Sequence, residues 1–405
     1  MLLSESPRLQ PAHYRILALA FLGWMFDFYD LILYTFLTRF ISADLGLTKL
    51  DHARALGISF TATAVGGIAC GFLADRYGRR TVVSWTILLY SAGSLLSGLS
   101  TGRQMLFLAR GLTGMGVGGE WAAGHALVAE TFPPHSRGRA GAILQTGAPV
   151  GVGLAALVGT LLAPRIGWRA CLIYSSATAL LAFVARRGLP ESDLWLRQGT
   201  RSFAAGLDRL IYGDLAKRFY LALLLCTVNG ASYWLTYSWL PEYLRSRGLG
   251  LAQSGAWLGV VVGGEIVGYV VYGWFSDHLG RRPAFVLFAL TMATGLLPLT
   301  IFWDRFAATP SLLLGAMLLV GIGTGTWSNF GPMLAELFPT QVRNSAMSSV
   351  LNVSRGAQFG APVLITLLEP RYGLSAGIGL AAGFAVAAAA LIWTLPETRA
   401  RTISA

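Results

Sequence analysis

A few charged residues sit inside long apolar stretches: Asp27 and Asp30 in GWMFDFYDLILYTFL, Arg110 and Glu120 in RGLTGMGVGGEW, and Arg355 in LNVSRGAQF. An acid near the centre of a bilayer costs about 2.5–3.5 kcal/mol on insertion scales, so such groups need a reason to be there. Asp27 and Asp30 are three residues apart and share a helix face. A carboxylate in a partly dry cavity holds its proton more tightly, and a neighbouring acid reinforces this, which is the chemistry of proton coupling. The alternative is that fixed partners neutralise both acids and only hold helices together.

Depth suggests the partners. With the first helix running outward and the fourth inward, ~1.5 Å per residue puts Asp30 and Arg110 each on the order of 10 Å from the outer ends of their spans, so they can pair. Asp27 lies deeper and is the better candidate to titrate. Arg355, about ten residues into an eleventh helix, is near mid-depth on the same rise. Its planar fork suits the carboxylate of a solute, or equally a pair with Glu265 at comparable depth. Asn352 and Gln358 flank Arg355 at helical spacing. Glu120 reads as a gate or coupling residue, or as a link to loop arginines, and His125 as packing or a minor pH modulator. Trp121, Gln145, Asn229, Tyr233, Trp234, Tyr237 and Asn329 are the aromatics and amides that a pocket for a small polar solute needs, with interfacial placement as the alternative for the aromatics.

The elements that must position these groups are membrane helices. The chain is 54% hydrophobic and 12% charged, with mean hydropathy +0.58, against roughly 25% charge in soluble domains. Apolar stretches near the ~20 residues that span a bilayer lie about 15–38, 54–74, 82–101, 104–128, 139–163 and 168–186, then 219–241, 253–275, 284–303, 309–333, 345–368 and 374–395. The expectation is an all-α membrane protein of twelve transmembrane helices in two six-helix bundles, 1–186 and 217–405. Between them, 187–216 is a linker whose Phe203, Leu207, Leu210, Ile211 and Leu215 form a helical stripe suited to the inner membrane surface. The net charge of +12 could suggest nucleic acid. With both termini cytoplasmic, however, 19 of the 31 Lys and Arg fall inside, 10 outside, and Arg110 and Arg355 within spans. That bias accounts for the charge as topology, so no nucleic-acid partner is expected.

The halves repeat one another. GFLADRYGRR (71–80) recurs as GWFSDHLGRR (273–282), AETFPPHSRGRA (129–140) as AELFPTQVRNSA (335–346), and LPES (189–192) as LPET (395–398). A period of half the chain belongs to duplicated transporters rather than solenoids. Asp75, Arg79 and Arg80, with Asp277, Arg281 and Arg282, read as gate residues. Glu130 and Arg137, with Glu336 and Arg343, join them in the second repeated pair. Solvated surface charge is the bland alternative. Cys70, Cys171 and Cys226 are isolated, and no metal spacing, phosphate-binding loop or nucleophile with a base is present, so metal, cofactor, enzyme and ATP-driven pump are not expected. The N-terminal segment lacks a cleavage pattern, so the first span is expected to be retained.

These motifs resemble the major facilitator superfamily over the whole chain. The resemblance rests on the Asp, Gly and paired Arg between helices two and three, their mirror between eight and nine, the glycine series after Arg110, its echo GIGTGTW (321–327), and the LPES and LPET exits. Two acids three apart in the first helix resemble the proton symporters for organic acids, including aromatic-acid, sialate and lactate carriers. The aromatic-acid and sialate groups usually carry a small residue between the acids, where this chain has Phe28 and Tyr29; Tyr29 joins the expected substrate contacts. The resemblance implies a multi-pass carrier of the cell (inner) membrane that works as a monomer. It would import a small organic anion, a monocarboxylate or related metabolite, with protons, by rocking its two bundles. It also implies that Arg110 serves proton coupling and that the repeated loops latch the cytoplasmic side. The rival readings are a drug or metabolite exporter, partly supported by GAPVGVG (147–153), and a sensor that kept the transporter fold.

Overall fold

The computed structural model describes residues 3, 6, 8–186, 191–198, 208–248, 251–358 and 360–401. Excepted within these are the side chains of 49, 178–186, 198, 241–242, 245, 251–258, 304, 306–307, 358 and 360–369. The first helix, Pro11–Leu45, begins on a proline, whose fixed φ and missing N–H cost nothing there, and ends at Gly46 in the left-handed region (φ 64°). The second, Lys49–Tyr77, opens on a reciprocal cap between Thr48 and Asp51. Arg79–Gly98 and Arg103–Thr131 are the third and fourth. The fifth is segmented into Arg137–Gln145, Gly147–Leu157, a π turn Val158–Leu162 and Ala163–Ile166, and Trp168–Arg186 is the sixth.

The second half repeats this plan. Ala216–Ser246, Leu251–Leu279 and Arg281–Ile301 are the seventh to ninth helices. The tenth, Pro310–Gly323 then Trp327–Leu337, is joined by the 3-10 turn Thr324–Thr326. Arg343–Gln358 begins the eleventh, and Gly360–Leu391 is divided at Gly373 (φ 71°, ψ 169°) into its end and the twelfth. Twelve spans result, as expected from sequence. Among the described residues nine are long and apolar enough to cross a membrane. The fourth falls short because glycines, Glu120 and His125 dilute its apolar content; only part of the sixth has described side chains, and the eleventh is described only on either side of position 359.

Two devices make the halves alike. Gly78 (φ 100°) and Gly280 (φ 112°) are each the single residue that turns the second helix into the third and the eighth into the ninth, in a conformation that disfavours a side chain. In the fourth helix, a Cβ at Gly118 would lie 2.0 Å from the Thr63 carbonyl oxygen, so only glycine permits this approach of the second and fourth helices.

The largest apolar cluster contains Leu127, Phe132 and Leu144 of the first half with Phe330, Leu334 and Phe338 of the second. Away from it each half has its own cluster, around Tyr34, Leu37 and Trp168 in one and around Tyr243, Leu296 and Trp303 in the other. Among the described residues the halves therefore share apolar packing at one end. Of the linker stripe, Leu210 and Leu215 are buried in the shared cluster and Ile211 is half-buried, so these two leucines face protein rather than a bilayer surface. Phe203 and Leu207 lie outside the described residues.

Candidate functional site

Side chains four apart on a helix project from one face, and three such pairs meet between the halves: Trp24 with Phe28, Tyr233 with Tyr237, and Glu265 with Tyr269. They bound a cavity of ≈ 190 Å³ whose wall also includes Trp121, Gln145, Pro149, Trp234, Trp327 and Arg355. The rings are mutually ordered. Trp24 stands edge-on to Phe28 at 4.7 Å between centroids, Tyr233 stacks on Tyr237 at 4.2 Å, and Trp327 meets Tyr233 edge-on at 5.8 Å.

One amide is fixed by two donors. Gln145 Oε1 accepts from Trp121 Nε1 at 3.1 Å and contacts His125 Nε2 at 3.2 Å. Since an indole N–H only donates, the shared atom is the carbonyl oxygen, and His125 must carry its proton on Nε2. His125 is thus a positioning residue: it helps pin the Gln145 oxygen and leaves the amide N–H groups for the cavity.

Two opposite charges share the cavity wall. Arg355 lines it in reach of the field of Asp27, which is fully buried. Glu265, 4% exposed, accepts from Tyr237 Oη at 2.9 Å, Tyr269 Oη at 2.5 Å and Tyr233 Oη at 3.4 Å. Among the described residues no ion pair joins Glu265 to Arg355, so the pairing weighed from sequence is replaced by a tyrosine cage. Sequence spacing placed Glu265 at the right depth but gave no sign of the cage, whose two further hydroxyls come from another helix.

Asp30 and Arg110 do pair, at 3.4 Å and buried. Asp30 also accepts from Ser94 Oγ at 2.5 Å and Ser175 Oγ at 2.9 Å, while the Arg110 guanidinium lies over the Tyr34 ring at 4.8 Å. The pair therefore sits among the first, third, fourth and sixth helices, behind the cavity wall rather than on it. Glu120 accepts from Thr86 Oγ1 at 3.2 Å within the same bundle.

Four of the expected contacts are not on the cavity wall. Tyr29 packs with Leu33 and Leu37 on the other side of the first helix from Trp24. Asn329 donates to Met333 Sδ, Asn352 donates to the Ser348 carbonyl beside Gly67, and Asn229 is buried in the seventh helix without reaching the wall. The Asn329 and Asn352 amides thus bond within their own helices rather than into the cavity. The Gln358 side chain lies outside the described residues.

At the packed end, the repeated loops tie the halves together. Asp75 accepts from the backbone N–H of Asn344 (3.2 Å) and Ser345 (2.8 Å), the first turn of the eleventh helix, where a carboxylate meets both unpaired donors and the positive end of the helix dipole. Asp277 does the same at the fifth helix, from Gly138 (2.8 Å) and Arg139 (3.0 Å). Arg79 pairs with Asp75 at 3.3 Å and Glu130 at 3.0 Å, and Arg343 of the other half reaches the same Glu130 oxygen. Arg281 forks onto Glu336 at 2.7 and 3.1 Å, whereas Arg137 donates to the carbonyls of Ala129 (2.8 Å) and Arg401 (2.8 Å). Arg80 lines a separate groove with Trp85 and Trp195, and Arg282 lies over Trp393 at 5.7 Å.

Comparison with known proteins agrees with this architecture. A family model described as Major Facilitator Superfamily matches residues 16–270, and one described as Sugar (and other) transporter matches 213–405. A probable 4-methylmuconolactone transporter of Cupriavidus pinatubonensis is 32% identical over 93% of this chain and 89% of its own length. A putative metabolite transport protein of Haemophilus influenzae is 30% identical over 94% and 95%, and the sialic acid transporter NanX of Escherichia coli 28% over 92% and 91%. Among solved structures, the proton:xylose symporter XylE superposes with a TM-score of 0.79 at 20% identity over 96% and 97% of the two chains, a likeness that speaks for the fold alone.

Proposed function

The chain belongs to the Major Facilitator Superfamily, and from that premise we propose that it imports a small carboxylate together with protons, by alternating access through the cell (inner) membrane as a monomer with both termini cytoplasmic. The two bundles, 1–186 and 217–405 joined by 187–216, are the moving bodies. The observation that carries the reading is Arg355: a guanidinium on the wall of a cavity between the halves, lying in the field of the buried Asp27.

In this mechanism the solute carboxylate replaces Asp27 as the charge that balances Arg355. Asp27, relieved of that role, takes a proton, because an unbalanced buried carboxylate would oppose closure of the cavity. Asp30 and Arg110 form the paired charge behind it, and Gln145, Trp121 and Tyr237 line the solute's walls. The latch at the packed end holds the state open to the opposite side, and its release admits the solute to the cell. Trp121, Gln145, Tyr233, Tyr237 and Arg355 are the contacts that this reading retains, with Asp27, Asp30, Arg110 and Glu120 as the coupling set.

The test is uptake of labelled monocarboxylates into proteoliposomes under an imposed pH gradient. Asp27→Asn is expected to abolish gradient-driven accumulation while sparing solute exchange, and Arg355→Gln to abolish both. If Asp27→Asn still accumulates solute against a gradient as well as the unaltered chain, coupling at Asp27 is wrong.

A further inference from the structure

The cavity contains a charge that capture of a carboxylate does not use. Glu265 lies across the wall from Arg355 without pairing with it, and three phenolic hydroxyls, of Tyr233, Tyr237 and Tyr269, hold its carboxylate. Three converging donors match the acceptor-only ionised form. Oε1 already receives two of them and Oε2 only one, so an acceptor position remains on Oε2. Beside it are the stacked faces of Tyr233 and Tyr237 and the edge of Trp327. A carboxylate set among aromatic faces is a recognition site for a cation, because ring quadrupoles attract positive charge and do so most strongly when water is excluded.

We propose that the solute carries both charges: a carboxylate that meets Arg355 and a cationic nitrogen, quaternary, pyridinium or protonated amine, that meets Glu265 and the tyrosine faces. This rests on the carboxylate-carrier reading above and narrows its substrate class to zwitterions. The fixed charges of the wall then cancel those of the solute one by one, so the occupied cavity closes without an uncompensated charge. A simple anion would neutralise Arg355 and leave Glu265 beside it unanswered.

Isosteres in which carbon replaces the charged nitrogen separate the possibilities. With the full-length protein in proteoliposomes, trimethylglycine is compared with 3,3-dimethylbutanoate, and N-methylnicotinate with 3-methylbenzoate, by competition binding and uptake. In at least one pair the zwitterion is expected to bind about tenfold or more tightly than its carbon isostere, the scale of a desolvated cation–π contact with a charge partner. Glu265→Gln is expected to remove that preference while leaving affinity for the carbon isostere within a few-fold, and Arg355→Gln to weaken both members. Equal or better binding of the carbon isosteres in both pairs, or a preference for the zwitterion that survives Glu265→Gln, overturns the proposal. A carrier that takes the simple acids and loses them on Arg355→Gln refutes only the zwitterion assignment. If no member of either pair binds and Arg355→Gln changes the uptake of no carboxylate, the carboxylate-carrier reading falls, and this proposal falls with it.

Discussion

The two copies of the repeated loop contact are built from the same residues and wired differently. In the first, Glu130 is shared by Arg79 of its own half and Arg343 of the other, so one carboxylate carries charge across the boundary. In the second, Glu336 is satisfied locally by Arg281 and by the Thr398 hydroxyl at 2.8 Å, and Arg137, the counterpart of Arg343, donates to backbone carbonyls instead. The arginines at both places are buried. A duplicated motif thus yields a fully buried cross-half ion pair, Glu130 with Arg343, in one copy and a half-exposed one, Asp277 with Arg139 at 3.1 Å, in the other. The first should respond more strongly to loss of charge than the second, which water screens.

The largest effect that can break this comparison comes from Glu130→Gln. It takes the counter-charge from the buried Arg343 while Arg79 keeps Asp75 at 3.3 Å, and removing one partner from a buried pair costs about 3–5 kcal/mol. Spin-label distances between the second and eleventh helices at the latch end should shift largely to the separated population. Glu336→Gln keeps Arg281 on Asp277 at 3.1 Å, so a smaller loss of about 1–3 kcal/mol is expected. Equal shifts for the two variants would mean that the asymmetry has no energetic content.

Next come the aspartates, where the two copies agree. Asp75→Asn and Asp277→Asn each forfeit a helix N-terminus that a carboxylate serves better than an amide, and losses of about 1–2 kcal/mol, alike within error, are expected in the same distance measurement. The turning glycines should differ. At Gly78 an added Cβ would sit 2.3 Å from Glu191 Oε2, against 2.9 Å from Glu397 at Gly280, in backbones equally unsuited to a side chain. Both alanine variants should lose about 1–3 kcal/mol in thermal unfolding, with Gly78→Ala the worse.

The smallest effect is a pair of opposite pH slopes. Glu191 caps the third helix on the backbone N–H groups of Arg79 and Arg80, and Glu397 caps the ninth on those of Arg281 and Arg282. Burial pushes the Glu191 carboxyl above the ordinary glutamate value, and its backbone donors only partly offset this. At Glu397 burial acts the same way, but donors from Arg282, Arg281, Arg399 and Thr398 outweigh it and hold the carboxyl below that value. A depressed carboxyl contributes stability above its unfolded value and loses it as pH falls through the folded one; a raised carboxyl loses stability as pH rises through its range. Glu397→Gln should therefore gain on the unaltered protein as pH falls below the usual carboxylate range, and Glu191→Gln as pH rises above it. Thermal midpoints measured from about pH 2.5 to 8 read both slopes, a window that extends well below the ordinary glutamate value; parallel slopes would contradict the assigned causes.

Much of this was legible in the sequence. The repeated GFLADRYGRR and GWFSDHLGRR revealed the duplication and the loops that meet across the halves, and apolar length marked the spans, because both are local properties of the chain. The pairing of Asp30 with Arg110 followed from counting rise along two helices. What periodicity could not give was rotation. A helix face is set by small-residue packing, so Asn352 and Asn329 turned out to serve helix contacts, and Tyr29 faces away from Trp24. Glu265 was found at the right depth, yet its cage needs Tyr233 and Tyr237 from the seventh helix, a contact that no spacing within one helix reveals. His125 read as packing, and its bond to Gln145 emerges only once the fourth and fifth helices are placed.

The apolar cluster that spans Phe132, Leu144, Phe330 and Phe338 gives the carrier a thermal character. In the proposed alternating-access cycle the halves part and wet that shared hydrocarbon, and freshly wetted apolar surface has a large positive heat capacity. The rate of turnover should then bend on an Arrhenius plot. Since apolar attraction weakens in the cold, chilling should loosen the weld between the halves before it loosens either half.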